Sequence, residues 1–166
     1  MKIEAKLDVD GLLEMARKFP DIVREETTRK LRVITARLEK DVVENTPAGV
    51  GGAAGLRGSI AGRVESSGQS IQGIVSTGMP YGEVVEVGRR PGSFPPVAPI
   101  ALWAERKLGV FDHEAESVGF LIARKIFKVG TKGAHMFEKA WKKDQPWVLD
   151  QVREILTSVA RRVNEL

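Results

Sequence analysis

From Asp21 to Asn45 the chain repeats apolar side chains at helical spacing, and no other stretch limits the fold as strongly. Thr27, Leu31, Ile34, Leu38 and Val42 step by 4, 3, 4 and 4, with Val23 one turn earlier. Arg29, Arg32, Glu39 and Lys40 fall on the opposite face. This spacing predicts one long amphipathic helix with a single stripe to bury. Asn45, Pro47 and Gly49 mark its end. Before it, Asp10 can cap a short helix through Leu12, Leu13, Met15 and Ala16. Pro20 then either interrupts that helix or opens the long one at its first turn.

The remaining segments supply a small sheet and more helices. In residues 2–9, Ile3, Ala5, Leu7 and Val9 alternate with Lys2, Glu4, Lys6 and Asp8, a half-buried strand pattern. Residues 56–65 place Leu56, Ile60 and Val64 on one face, and 70–77 follow across the turn-like 66–69. Together they read as a β-hairpin, although glycines weaken strand interiors. Residues 79–88 form a short helix or an extended piece, and the Pro- and Gly-rich 89–99 a loop. Helices are expected at 100–108, with Ile100, Trp103, Ala104 and Leu108 on one side, and at 114–127, using Val118, Leu121, Ile122, Lys125 and Ile126. After a break at 129–133, residues 135–143 form another. Pro146 opens a last one, whose Val148, Val152, Ile155, Val159 and Val163 step by 4, 3, 4 and 4. The expected class is α+β: a small antiparallel sheet packed on the long helix, with additional C-terminal helices. One domain spans 1–166, with a strand–helix–hairpin core over 1–88, a loop and helical insertion over 89–130, and C-terminal helices over 131–166.

Composition removes several classes of function. With no cysteine there is no disulfide and no thiolate chemistry. No apolar run approaches the length of a transmembrane helix, and acidic residues interrupt the start of the chain where a signal peptide needs an apolar core. The expectation is a protein made and kept in the cytoplasm. A net charge of +4 is mildly basic, compatible with nucleic acid but not diagnostic of it.

Gly49-Val50-Gly51-Gly52-Ala53-Ala54 satisfies the G-x-G-x-x-G/A string of dinucleotide-binding loops. That chemistry requires a strand entering the turn and a helix leaving it, so that the helix N-terminus faces the pyrophosphate. Here a helix enters and a strand is expected to leave. No Gly-Lys-Ser/Thr follows either. The segment reads as a small-residue joint, and no cofactor is expected.

Other candidate chemistry is sparse. Asp112, His113, Glu114 and Glu116 crowd one stretch, where a weakly held metal competes with a solvated acidic loop and helix cap. His135 begins a helix and suits a capping or core role. Glu83 and Glu86 fall on one face of a short turn, but nothing nearby supplies a nucleophile. No metal site and no catalytic residue is assigned, and an enzyme is not expected. The basic run Arg124, Lys125, Lys128, Lys132, Lys139, Lys142 and Lys143 contains only Glu138 as an acid and interleaves Phe137 and Trp141. It reads as a solvated helix face or as a phosphate-contacting surface.

Several segments in order resemble the neck and tail-completion proteins of tailed bacteriophages, the minor tail protein Z-like group. The resemblance runs over about residues 1–141. It starts with a strand and a long helix, then Thr46-Pro47 and Gly55-Leu56-Arg57-Gly58-Ser59-Ile60. Pro80-Tyr81, Val85-Glu86-Val87-Gly88, and then Gly130-Thr131, Phe137 and Ala140-Trp141 follow. In shorter members of that group the Val-Glu-x-Gly and Gly-Thr segments lie close together; here residues 90–129 intervene. The resemblance implies no catalysis. It implies a homo-oligomeric ring, commonly sixfold, at the head–tail junction or tail end, with other neck and tail proteins as partners and DNA only passing through the lumen. It also implies no membrane, and a place in the virion after assembly in the host cytoplasm. On that reading Tyr81, Glu86, Arg89, Arg90 and Phe94 are candidate subunit contacts. The alternative is a DNA- or RNA-binding module using the 124–143 basic run, and a third reading is a small hydrolase or metal enzyme near Asp112 to Glu116.

Overall fold

The computed structural model describes residues 10–49, 55–67 and 70–165, with side chains from residue 14 onward. The expected strand at 2–9, most of the glycine string and the centre of the 66–69 turn lie outside the described residues. The chain is mostly helical with a small two-stranded antiparallel sheet, as the α+β reading expects. The elements are α1 (Asp10–Lys18), α2 (Pro20–Asn45), α3 (Leu56–Ser59), β1 (Ile60–Ser67), β2 (Ser70–Thr77), α4 (Gly82–Val87), β3 (Gly88–Arg89), α5 (Val97–Leu108), α6 (Asp112–Val129), β4 (Thr131–Lys132) and α7 (Met136–Asn164). They gather into two compact units.

The first unit holds residues 1–44, 60–76 and 137–166. Pro20 opens α2, as its fixed φ and missing N–H suit a first helical position. The stripe α2 buries is Val23, Glu26, Ile34, Thr35, Leu38, Asp41 and Val42, so two carboxylates share it with the aliphatics. α7 runs antiparallel along α2. Arg37 meets Asp144, Lys30 meets Glu154, and Arg162 meets Glu26, so one helix descends as the other ascends. Val23, Ile155 and Val159 form an apolar cluster flanked by Met15, Ala16, Ile22, Val152 and Val163. The β1–β2 hairpin lies close on α2 because its glycines permit it. A Cβ on Gly73 would stand 2.8 Å from Thr35 Cγ2, and one on Gly62 3.0 Å from the Thr35 carbonyl oxygen. The Gly62 N–H also donates to Glu39 Oε2 at 2.7 Å. These glycines mark close approach, not weak strands.

α7 corrects one sequence expectation. Residues 135–143 and the segment from Pro146 are not two helices; one helix runs from Met136 to Asn164 with Pro146 inside it. Met136, Phe137, Ala140, Asp144, Val148, Ile155 and Val159 are all buried. This face keeps its phase across the proline, so burial on both sides offsets the missing N–H. Pro146→Ala restores a donor for the Lys142 carbonyl and is expected to stabilise the chain by about 1–3 kcal/mol. A higher denaturant midpoint at unchanged slope is the expected observation.

The second unit holds residues 45–59 and 77–136. Residues 56–59, expected as the start of a strand, make a helical turn instead. Ser59 closes it, with Oγ donating to the Leu56 carbonyl at 2.8 Å. Residues 79–88 resolve as α4 after a turn. β3 and β4 pair antiparallel, Gly88 with Lys132 and Arg89 with Thr131. Between them the chain leaves, builds α5 and α6, and returns. The helices are longer than the 100–108 and 114–127 expected from spacing. They meet through small residues: Ala101, Ala104, Ala115, Gly119 and Ala123 are buried. A Cβ on Gly119 would lie 2.9 Å from the Ala101 backbone nitrogen. Gly109 ends α5 in the left-handed conformation, φ 70° and ψ 23°, with its N–H on the Glu105 carbonyl.

Candidate functional site

Residues 46–49, 55–59, 80–88 and 130–135 form a clasp inside the second unit, whereas Phe137 and Ala140-Trp141 belong to the first. Thr46 is buried, with its hydroxyl against Met136 Sδ at 3.1 Å, and its carbonyl accepts from Arg57 Nε at 2.7 Å. Ser59 Oγ and Thr77 Oγ1 are 2.6 Å apart. The carbonyls of Val85 and Glu86 accept from the N–H groups of Ala134 and His135 at 2.7 and 3.0 Å. A Cβ at Gly88 would sit 2.3 Å from the Thr131 carbonyl oxygen, and one at Gly133 2.3 Å from that of Glu86. The Val-Glu-x-Gly and Gly-Thr segments therefore touch, and the chain between them holds α5 and α6.

The candidate contacts differ in exposure. Glu86 is 1% exposed, so its side chain serves its own chain and not a partner surface. Glu83 is exposed, so the two carboxylates do not face one site. Tyr81 and Arg90 are exposed and Arg89 is half-buried, with Nη2 donating to Ser93 Oγ at 2.6 Å. Phe94 packs against Phe120 and Phe127, ring centroids 5.8 and 6.0 Å apart, while all three rings stay partly exposed.

The basic run is divided between the two units. Arg124, Lys125, Lys128 and Lys132 belong to the second unit and are exposed. Lys139, Lys142 and Lys143 lie on α7 in the first unit. There Lys142 pairs with Glu138, and Lys143 with Asp41 at 3.0 Å. Phe137 and Trp141, interleaved in the sequence, are buried and half-buried. In exchange, the fold gathers Arg89, Arg90 and Phe94 near the C-terminal end of α6, through the β3–β4 pair and the Gly92 N–H on the Phe127 carbonyl at 2.8 Å. Residues 88–96 and 117–132 contain no acid.

The α5–α6 hairpin is inside out in size. Alanine and glycine fill its seam, Ile100, Val118, Ile122 and Ile126 are half-buried, and many other large apolar side chains face solvent. Leu108 is 53% exposed, Phe111 66%, Leu121 61% and Val129 65%, and Leu102, Trp103, Phe120 and Phe127 are exposed as well. Exposed large apolar side chains are thus concentrated on this hairpin.

The candidate metal and nucleotide positions do not converge on a site. His113 is almost fully exposed with Nδ1 3.9 Å from Glu116. His135 adopts φ 53° and donates its N–H to the Glu86 carbonyl. Among the described residues no group of three or more His, Asp or Glu is placed to hold a metal. What leaves the glycine segment is a four-residue helical turn, not the strand expected.

Periodicity did not single out the buried charges of the first unit. Asp144 is fully buried and Asp41 nearly so, each on its helix's apolar face. Arg37 holds Asp144 Oδ1 with Nε at 3.0 Å and Nη2 at 2.9 Å, and lies 4.2 Å over the Trp147 ring. Lys143 holds Asp41. Burial, then the neighbouring Asp41, raise the Asp144 carboxyl above its ordinary range against the pull of Arg37. The hydrogen bond from Asp144 lowers Asp41, helped by Lys143 and Arg37. These opposite directions are those of a carboxylate pair that keeps a proton on Asp144 in preference to Asp41. Nearby, burial would raise Glu26, but Arg29 at 2.5 Å and Arg162 at 3.2 Å outweigh it and lower its pKa. The sequence signal for these groups is an acid inside an apolar stripe, as in Leu38-x-x-Asp41-Val42.

No family model, curated protein or solved structure matches this chain. No described helix is long and apolar enough to cross a membrane.

Proposed function

We propose that this chain is a structural virion protein of a tailed phage or prophage, which joins head to tail or completes the tail as a ring of identical copies. The observation that carries this reading is the outward-facing apolar side of α5–α6, a surface built for contact with a macromolecule. The clasp supports it too. It brings together the two motifs that lie close in shorter neck proteins and places the extra residues in the α5–α6 hairpin. On this reading the protein has no catalytic role and no cofactor, its partners are its own copies and other neck and tail proteins, and it resides in the virion. Proteomics of purified phage particles from the source strain is expected to find the chain at several copies per particle. A disrupted gene is expected to yield filled heads and free tails. Particles without the chain, and normal infectious virions from the disrupted strain, would rule the reading out.

A second reading has one observation in its favour. Arg89 and Arg90 join Arg124, Lys125, Lys128 and Lys132 around exposed phenylalanines with no acid among them. A nucleic-acid module built on that surface binds single strands with a steep salt dependence. Tight binding of a random oligonucleotide at physiological salt would favour it over the virion role.

A further inference from the structure

The two ends of the α5–α6 hairpin carry opposite charge. At the turn end, Glu105, Asp112, Glu114 and Glu116 outnumber Arg106 and Lys107, four acids to two bases. At the clasp end, Arg89, Arg90, Arg124, Lys125, Lys128 and Lys132 stand without an acid in 88–96 or 117–132. The eighteen residues of α6 separate these ends by about 27 Å. Acids early and bases late in α6 also suit the helix dipole. The dipole gives no reason for apolar exposure, yet Leu108 and Phe111 are exposed at the acidic end and Phe94, Phe127 and Val129 at the basic end. Each end thus combines exposed apolar side chains with charges of one prevailing sign, and the two signs are opposite.

We infer that copies of this chain join head to tail through α5–α6, the acidic Leu108–Phe111 end of one docking on the basic Phe94–Phe127 end of the next. The inference rests on the assembly reading and adds the partner surfaces. A contact between two different patches leaves one of each free on every growing chain, so it closes only as a ring or runs on as a filament. Opposite charges steer the encounter, and the desolvated aromatics hold it.

Charge reversal tests the pairing. Glu114→Lys with Glu116→Lys makes both ends basic. Arg90→Glu, Arg124→Glu, Lys125→Glu and Lys128→Glu together make both ends acidic. All six positions are exposed, so helix content by circular dichroism should match the parent in both variants. Each variant alone is expected to associate on the order of a hundredfold more weakly than the parent in a light-scattering concentration series. An equal mixture is expected to recover assemblies of more than two copies. Phe111→Ala, with charge intact, is expected to weaken association about tenfold or more. Three outcomes overturn the inference. Variants that assemble like the parent would leave the ring reading standing on other surfaces. A mixture that stops at dimers would show a symmetric contact. A parent that stays monomeric at high concentration and low salt, whether or not it binds an oligonucleotide through its basic end, would remove self-association altogether.

Discussion

Gly130→Ala is expected to destabilise the second unit by on the order of 4 kcal/mol, a large part of a domain's usual margin. Two costs add. Gly130 sits at φ 71° and ψ −165°, a region L-residues essentially do not occupy. A Cβ there would also stand 2.1 Å from the Arg89 carbonyl oxygen, a backbone atom that cannot swing aside. Gly88, at φ 82° on the paired strand, is confined in the same way by the Thr131 carbonyl. The clasp is therefore glycine on both sides because two backbones meet where no side chain fits. Gly92→Ala separates the two costs: its φ is 98° but nothing lies within 4 Å, so only the backbone penalty of about 1 kcal/mol remains. Denaturant unfolding of the two variants should show that contrast. Because the clasp carries Arg89 and Arg90 to the end of α6, Gly130→Ala should also impair assembly, whereas Gly92→Ala tests loop geometry alone.

Asp144→Ala is expected to cost about 2–4 kcal/mol, while Asp144→Asn should cost little at neutral pH. Alanine removes the donor to Asp41 and the acceptor for Arg37 from a fully buried place. Asparagine keeps both, since its amide N–H replaces the shared proton and its carbonyl oxygen receives the guanidinium. The pH dependence separates the partners. The folded chain holds the Asp144 proton more tightly than the unfolded chain, so this contribution is complete below the ordinary carboxylate pKa and fades as pH rises through the raised value. Asp41 is depressed, so its contribution exists above the ordinary value and is lost as pH falls through the lowered one. Glu26, also depressed, adds to the loss in acid. Urea unfolding from about pH 4 to about pH 8 should therefore show the Asn variant gaining on the parent toward the alkaline side. Parallel curves for the parent and the Asn variant would mean that no proton is shared.

Much of this architecture was legible in the sequence, and what was not has a physical reason. The 3–4 spacing located α2 and the C-terminal half of α7, because each buries one continuous stripe. Proline chemistry offered the start of α2 as one of two readings of Pro20, and it misled at Pro146, where burial on both flanks overrides a local penalty. The hairpin glycines read as weakness, since nothing local reveals that Thr35 lies against them. Asp41 and Asp144 were passed over because polarity is ordinarily a surface sign, and only the opposite helix makes their burial tolerable. The basic run looked continuous because sequence neighbours need not share a unit: its first half belongs with Arg89 and Arg90, its second half with Glu138 and Asp41. Reading α5 and α6 from apolar spacing favoured Trp103, Leu108 and Leu121 as inward residues. The structure turns them out, since alanine and glycine bring the two helices too close to admit them.

The mass of the wild-type protein in solution, measured by light scattering after size exclusion over a concentration series with negative-stain images of any large species, bears most directly on the claim that this chain is an assembly subunit. Closed rings of a single copy number, forming as concentration rises, are the predicted result. A particle that remains one chain in mass at every concentration and at low salt would contradict it.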